Sequence, residues 1–231
     1  MPTWYETVLG FVLPATCLNC QAEIVLPGCC GYCEQQLPRL GPHCERCAKL
    51  LSARSVCGRC RFNPPAFRYT VVPFQYAAPV TDWITGFKFH EQLLYSDFLA
   101  NCLWQSCRTH YQNHCWPQLI IPVPLHQKRL QERGFNQASL LAAYLAKRTG
   151  IALARNTISK VRATAPQTSL NKRARVGNTK RAFAINGSIY ARHVALVDDV
   201  LTTGATVNEI AKVLLKSGVE QVDVWCVART V

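Results

Sequence analysis

The chain has 231 residues, of which 49% are hydrophobic and 17% are charged, so it is long enough for one well-buried domain and a small second one. Its formal net charge is +13, from 26 lysines and arginines against 13 acids. No apolar run approaches the roughly eighteen residues that a membrane helix needs. We therefore expect no membrane insertion and a cytoplasmic location, with any membrane association made through a partner protein.

Four CxxC pairs occupy the first quarter of the chain. They form a CxxC-x9-CxxC unit that repeats with a period of 27 residues. Two thiolates at this spacing bind one face of a tetrahedral zinc ion, and a second pair binds the other face. The pattern therefore predicts two structural zinc ribbons, one formed by Cys17, Cys20, Cys30 and Cys33 and the other by Cys44, Cys47, Cys57 and Cys60. A redox-active CxxC is the alternative, but this turn-rich stretch lacks a thioredoxin-like context.

Several details of the zinc ribbons stay open in the sequence. Cys29 could replace Cys30 as a ligand, His43 could replace Cys44, and the number of metal ions could be one instead of two. The prolines of "RFNPPAF" indicate a linker. We therefore expect an N-terminal helix and double zinc ribbon over residues 1–63 and a second domain over 64–231.

Strand and helix patterns alternate through the second domain. Continuous apolar runs such as "VALVD" are typical of strands that are buried on both faces of a parallel sheet. We predict strands at "YTVVPFQY", "QLIIP", "VALVD" and "VDVWCVART", with helices over 81–108, 136–149 and 206–217. This order predicts an α/β fold with a mainly parallel sheet flanked by helices.

The stretch "VDDVLTTGAT" carries the strongest chemical signal of this domain. Ligands of parallel sheets collect at the carboxyl ends of strands, where Asp198 and Asp199 follow "VALV". The small, hydroxyl-rich turn that comes next precedes a helix and suits a phosphate; it contains Thr202, Thr203, Gly204, Ala205 and Thr206. Carboxylates repel phosphate, so we expect the acids to bind ribose hydroxyls or Mg²⁺. Simple helix capping needs one such residue, not five.

Basic residues concentrate in one part of the chain. Between His126 and Arg192 there are fourteen lysines and arginines against one acid, Glu132. This segment therefore has a net charge of 14 − 1 = +13, equal to that of the whole chain. Such a one-sided run indicates an anionic partner, either phosphates or a nucleic acid.

The acid–turn motif closely resembles the 5-phosphoribosyl 1-pyrophosphate (PRPP) signature of type I phosphoribosyltransferases. Further stretches match the ComF/GntX family of competence-associated, phosphoribosyltransferase-like proteins: the CxxC repeat, "PVPL", "RGFNQ", "RATxxQ", and "RxxN" followed by "AF". The resemblance covers nearly the whole chain. It implies a type I phosphoribosyltransferase-like sheet preceded by a zinc-ribbon domain, with Mg²⁺ accompanying PRPP.

The same resemblance implies roles for two groups of basic residues. The loop after "IIPVP" corresponds to the pyrophosphate-binding loop, and its candidate ligands are Lys128, Arg129 and Arg133. Three cations within six residues at a strand end are well placed for a diphosphate. Residues 162–181 correspond to a mobile loop that contacts an anion or DNA, with the candidates Arg162, Lys172, Arg173 and Arg175.

The resemblance implies a role in natural transformation. We expect a cytoplasmic protein that handles incoming single-stranded DNA and passes it towards an import or recombination protein, with a domain that binds PRPP or a related ribose 5-phosphate. The basic segment would follow the DNA backbone, and the ribbons would contact DNA or a partner. The alternative is an active phosphoribosyltransferase of nucleotide metabolism that transfers the phosphoribosyl group to a nitrogen nucleophile. The sequence offers no obvious acid or base for that reaction.

Overall fold

The computed structural model of the chain describes residues 15–86, 93–161 and 182–230. The predicted N-terminal helix and the predicted loop over 162–181 lie outside these ranges. In the Cys-rich segment, strands β1 (Ala15–Thr16) and β2 (Glu23–Ile24) form an antiparallel pair. Two single-turn helices follow, α1 (Gly31–Gln35) and α2 (Gly58–Phe62).

The second segment contains the predicted strands and helices, together with several short elements that the sequence did not predict. Its first half contains β3 (Thr70–Val71), β4 (Phe74–Gln75), α3 (Val80–Gly86), α4 (Leu93–His110), β5 (Leu119–Pro122), α5 (Gln127–Arg133) and α6 (Gln137–Thr149). Its second half contains β6 (Ala152–Leu153), β7 (Ile158–Lys160), β8 (Phe183–Ile185), β9 (His193–Leu201), α7 (Ala205–Lys216) and β10 (Gln221–Arg229). The predicted helix 81–108 overlaps most of α3 and most of α4, and residues 87–92 between them are not described.

The central sheet is parallel in every pairing between its described strands. Its order is β3-β10-β9-β5-β6, and β4 pairs with the end of β10 beyond β3. Strands β7 and β8 form a separate antiparallel pair. The prediction of a mainly parallel sheet flanked by helices, preceded by a Cys-rich ribbon, is therefore confirmed. Among the described residues, none of the helices is long and apolar enough to cross a membrane.

Side chains of β9 alternate between two hydrophobic cores, one on each face of the sheet. Ala195 and Val197 pack in the core that α4 and α6 cover, whereas Val194 and Leu196 pack in the core that α7 covers. Burial on both faces explains why this strand reads as a continuous apolar run. The helices contribute Leu99, Leu103, Leu141 and Leu145 to the first core and Val207, Ile210 and Leu214 to the second.

A buried polar cluster surrounds Asp223 near the amino end of β10. The Oδ2 atom of Asp223 accepts a hydrogen bond from the hydroxyl of Tyr111 (2.7 Å) and lies 2.8 Å from Nε2 of His193. Oδ1 of Asp223 lies 3.5 Å from Nε of Arg68, and Nε1 of Trp225 donates to the Tyr111 hydroxyl. Burial alone would raise the pKa of Asp223, but the His193 and Tyr111 hydrogen bonds outweigh burial and lower it.

Removal of this buried carboxylate should destabilise the fold strongly. We expect Asp223→Ala to lower the free energy of unfolding by about 3 kcal/mol, because it leaves buried partners without an acceptor. Tyr111→Phe, which removes one hydroxyl, should cost about 1–2 kcal/mol. Urea unfolding measures both. Asp82→Ala on the exposed side of α3 is the control, and a similar loss in all three variants would contradict a special role of the cluster.

Candidate functional site

A cleft with a volume of about 570 Å³ opens at the carboxyl edge of the sheet. Its walls are formed by the ends of β5 and β9, the turn into α7, helix α5 and the first turn of α6. The structure thus brings together two groups of predicted residues that are more than sixty positions apart. Those that line the cleft are Arg129, Arg133, Asp198, Asp199, Thr202, Gly204, Ala205 and Thr206.

Two of the candidates within the described residues do not line the cleft. Lys128 is exposed on α5, where its backbone N–H donates to Nδ1 of His126 (3.3 Å). The hydroxyl of Thr203 accepts from the backbone N–H of Ala205 (3.3 Å), so it shapes the turn. The candidates Arg162, Lys172, Arg173 and Arg175 lie outside the described residues.

The turn between β9 and α7 has the geometry of an anion site. Gly204 is the N-cap of α7 and has a φ of 74°, a left-handed conformation that glycine adopts without strain. A Cβ atom there would meet only ordinary contacts at 3.8–3.9 Å, so the φ angle and not the space requires glycine. The positive end of the helix dipole points towards the turn, which favours a bound phosphate.

Asp198 and Asp199 lie within β9, not after its end. The strand continues to Leu201 because it pairs with β10 as far as Arg229. The backbone N–H of Asp199 donates to Oδ1 of Asp198 (2.9 Å), and that of Val200 donates to Oδ1 of Asp199 (2.7 Å). Burial and the neighbouring Asp199 charge raise the pKa of Asp198 well above its ordinary value. The pair therefore suits a partner that donates hydroxyl groups or brings positive charge.

The cleft also contains residues that the sequence did not single out. Lys160 at the end of β7 lines it, and burial together with the charge of Arg129 lowers its pKa. Asn136 caps α6 through the N–H of Ala138 (3.1 Å) and donates to the carbonyl of Val123 (3.0 Å). The only sequence feature that could have pointed to Asn136 is its place in the "RGFNQ" stretch. Lys160 belongs to no motif apart from the basic segment.

The raised pKa of Asp198 predicts that ionisation of this carboxyl weakens the fold at neutral pH when no ligand is bound. Stability from the neutral carboxyl is fully present below its ordinary pKa and is lost as pH rises towards the raised value. We expect Asp198→Asn to raise the free energy of unfolding at neutral pH by about 0.5–2 kcal/mol, the usual range for a stabilising substitution, because the amide does not ionise in this position.

Urea unfolding without ligand or Mg²⁺ checks this prediction at neutral pH and near the ordinary carboxyl pKa. The gain should disappear at the lower pH, because Asp198 is then neutral in both states. Asp97→Asn on the exposed face of α4 is the control and should show no such pH dependence. A variant less stable than the wild type at neutral pH would contradict the raised pKa.

The two predicted cysteine groups each converge on one point. Within each group the four Sγ atoms lie within 4.8 Å of one another; the groups are Cys17, Cys20, Cys30 and Cys33, and Cys44, Cys47, Cys57 and Cys60. Zinc–sulfur bonds of about 2.3 Å in a tetrahedron require sulfur atoms about 3.8 Å apart. One sulfur pair of each group is separated by 3.8 Å. Both groups therefore fit structural zinc ions with closed coordination shells.

Backbone donors favour the thiolate of one cysteine in each group, Cys17 and Cys44. Burial opposes ionisation of Cys17, but N–H groups of Cys20 and Cys30 outweigh it and lower the pKa of Cys17 to about 6. The equivalent donors lower the pKa of Cys44 to about 7 against the same effect of burial. Thiolate is the form that binds zinc.

The geometry also places the two alternative zinc ligands, Cys29 and His43, outside the cysteine groups. Cys29 lies outside the first group, and burial and the Cys17 charge raise its pKa to about 12. His43 lies outside the second group, with its Nδ1 2.7 Å from the carbonyl oxygen of Gly41.

Together, the fold and the sites define a class: an α/β protein with an acid pair and a phosphate-type turn at the sheet edge, preceded by a double zinc ribbon. The family model of the double zinc ribbon domain matches residues 8–61. Over 221 residues the chain is 36% identical to Competence protein F of Haemophilus influenzae, covering 92% of this chain and 96% of that protein. It is 34% identical to the DNA utilization protein YhgH of Escherichia coli K12, covering 94% and 98%. The chain belongs to the ComF family of competence proteins.

More distant similarities extend to other bacteria and to solved structures. Competence protein ComFC of Bacillus subtilis is 26% identical over 82% of this chain and 78% of that protein. A purine phosphoribosyltransferase from Pyrococcus horikoshii is similar over 58% of this chain and 72% of its own, with 18% identity and a TM-score of 0.35.

Proposed function

We propose that the cleft binds PRPP together with Mg²⁺, and that the protein handles incoming single-stranded DNA on the cytoplasmic side during natural transformation. The observation that carries the ligand proposal is the convergence of acids, a phosphate-type turn and cations in one cleft. Lys160 interacts electrostatically with both Arg129 and Asp198, so the cationic and acidic parts of the cleft lie close together. PRPP has matching parts: hydroxyl groups, a 5′-phosphate and a diphosphate.

Each part of the cleft has a proposed partner on the ligand. Asp198 and Asp199 would accept hydrogen bonds from the ribose hydroxyls or bind Mg²⁺, which prefers carboxylate oxygens. The turn from Thr202 to Thr206 would hold the 5′-phosphate. Arg129 and Arg133 would bind the diphosphate, because planar guanidinium groups form paired hydrogen bonds with phosphate oxygens.

The DNA role is supported by relatives and by the distribution of charge. The relatives' names refer to competence and to DNA utilization. Besides the basic segment in the second domain, residues 44–62 of the second ribbon contain five lysines and arginines against one acid, Glu45. Phe62 at the end of that ribbon is 86% exposed. Cations beside an exposed aromatic ring are the combination that binds single-stranded DNA through phosphates and stacked bases.

Transfer of the phosphoribosyl group to a nitrogen nucleophile is a second candidate function. The observation that favours it is Glu132, the single acid of the basic segment, which lines the cleft beside Arg133. Its carboxylate would accept the proton of the incoming nucleophile, while Arg129 and Arg133 stabilise the departing diphosphate. Release of pyrophosphate only when a nitrogen nucleophile is added would favour the transferase over a binding domain.

PRPP binding should depend on the two acids. Isothermal titration calorimetry with PRPP and Mg²⁺ should show binding by the wild type and roughly 100-fold weaker binding by Asp198→Asn plus Asp199→Asn, because each lost charged hydrogen bond weakens affinity about tenfold. Asp97→Asn is the matched control on exposed α4. Equal affinity of the double variant and the wild type would exclude these acids from the site.

Affinity for single-stranded DNA should fall steeply with salt. Each phosphate contact that is lost reduces the slope of log affinity against log salt by about 0.7. We therefore expect Arg59→Ser plus Arg61→Ser to reduce the slope measured by fluorescence anisotropy by about 1.4. Arg108→Ser is the control, since Arg108 is exposed at the end of α4, outside both basic segments. An unchanged slope in the double variant would show that these arginines of the second ribbon do not contact the DNA.

A further inference from the structure

The two zinc ribbons share the same backbone turn after their second cysteine, but this turn has different surroundings in each ribbon. In each, the residue after the second cysteine has a left-handed φ, 60° at Gln21 and 55° at Ala48. The N–H groups of Gln21 and Ala48 donate to the carbonyls of Cys17 and Cys44, respectively. Yet Gln21 is exposed, whereas Ala48 is fully buried in the core beneath α7. The second ribbon is therefore anchored in the α/β domain at this turn, whereas the first ribbon packs against that domain through Leu18 and Cys29 and leaves its own turn exposed.

One side chain connects the turn of the second ribbon with the phosphate-type turn. Arg229, the last residue of β10, donates from Nε to the carbonyl of Cys47 (3.0 Å). Its Nη1 donates to the carbonyls of Leu201 (3.0 Å) and Thr202. The same guanidinium thus bridges the backbone of a zinc-site cysteine and the backbone at the start of the "TTGAT" turn.

The chain around Arg229 fixes this bridge in place. The carbonyl of Arg229 accepts from the N–H of Tyr76 (2.8 Å), and the N–H of Thr230 donates to the carbonyl of Leu201 (3.1 Å). Tyr76 and Thr230 both line the cleft. Lysine cannot replace arginine here, because a single ammonium lacks the planar fork that reaches carbonyls on two sides.

We propose that Arg229 couples zinc in the second ribbon to ligand binding at the phosphate-type turn, so that the first ribbon's zinc has a much weaker effect on the cleft. This inference rests on the proposed PRPP site and on zinc at the second cysteine group. Zinc fixes the turn that presents the Cys47 carbonyl, because the local structure of such small sites depends on the metal. Arg229 then holds the carbonyls of Leu201 and Thr202, which set the start of the turn. Coupling of this kind is reciprocal, so the bound ligand should also retain that zinc.

The duplicated ribbons provide a matched pair of variants for the first test. Cys20→Ser and Cys47→Ser each remove the equivalent ligand from one ribbon. Calorimetry with PRPP and Mg²⁺ should give an affinity about tenfold lower for Cys47→Ser than for Cys20→Ser, the loss expected for one charged hydrogen bond. Arg229→Lys should weaken affinity by a similar factor, and Arg192→Lys should leave it unchanged. Circular dichroism and retention of the other zinc establish that each variant is folded.

The second test measures zinc and does not depend on PRPP binding. In the Cys20→Ser background the chain holds the second zinc, and release to a chelating dye reports on that site alone. Adding Arg229→Lys should accelerate this release several-fold, because the Cys47 turn loses its support. In the Cys47→Ser background, which holds the first zinc, the same substitution should not change the release rate. PRPP should slow release in the first background and have no effect in the second.

The outcomes separate this inference from the proposed function. If the wild type does not bind PRPP, the proposed function fails. If Arg229→Lys also leaves the rate of zinc release unchanged in the Cys20→Ser background, the proposed support of the Cys47 turn by Arg229 fails as well. If the wild type binds PRPP but Cys20→Ser and Cys47→Ser bind it equally, the coupling is overturned and the PRPP site stands.

Discussion

Parallel pairing of β9 with β5 on one side and β10 on the other is the constraint on which the rest of the structure depends. The register aligns Val197 with Pro122 and Leu201 with Arg229. Because the three strands run in one direction, the segments that follow them reach the same edge, although they are distant in sequence. A slip of one residue would exchange the two faces of β9 and place its apolar side chains on the wrong sides.

The charge distribution of the cleft indicates a ligand with two kinds of groups. Asp198 and Asp199 are adjacent carboxylates in a partly buried position, and burial with repulsion by Asp199 raises the pKa of Asp198. In the same cleft, burial and the charge of Arg129 lower the pKa of Lys160. A bare phosphate would relieve only the cations, and a sugar only the acids. A phosphorylated sugar with Mg²⁺, the kind of ligand that we propose, would satisfy both kinds of groups.

The sequence predicted those features that depend on local spacing. CxxC pairs specify their own turns, and "VALVDD" followed by a small turn specifies a buried strand and helix start; α7 begins at Ala205, one residue from the prediction. Lys160 and Arg229 were not predicted, because their roles arise from contacts between distant segments. Arg229 contacts Cys47 across 182 positions of sequence. The position at which β9 ends was not predicted either, because pairing with the distant strand β10 extends β9 past the two acids.

Duplication of the ribbon shows how identical local structure can acquire unequal roles. Cysteine spacing and backbone hydrogen bonds reproduce one geometry twice, so the metal sites themselves are equivalent. The surroundings are not equivalent: residues 17–43 contain two acids and one arginine, whereas residues 44–62 contain five cations and one acid. Only the second ribbon combines this basic surface with a buried turn against the α/β domain. A polyanion bound to that ribbon and a phosphate bound in the cleft would therefore act on two segments that Arg229 joins by hydrogen bonds, the turn after Cys47 and the start of the turn into α7.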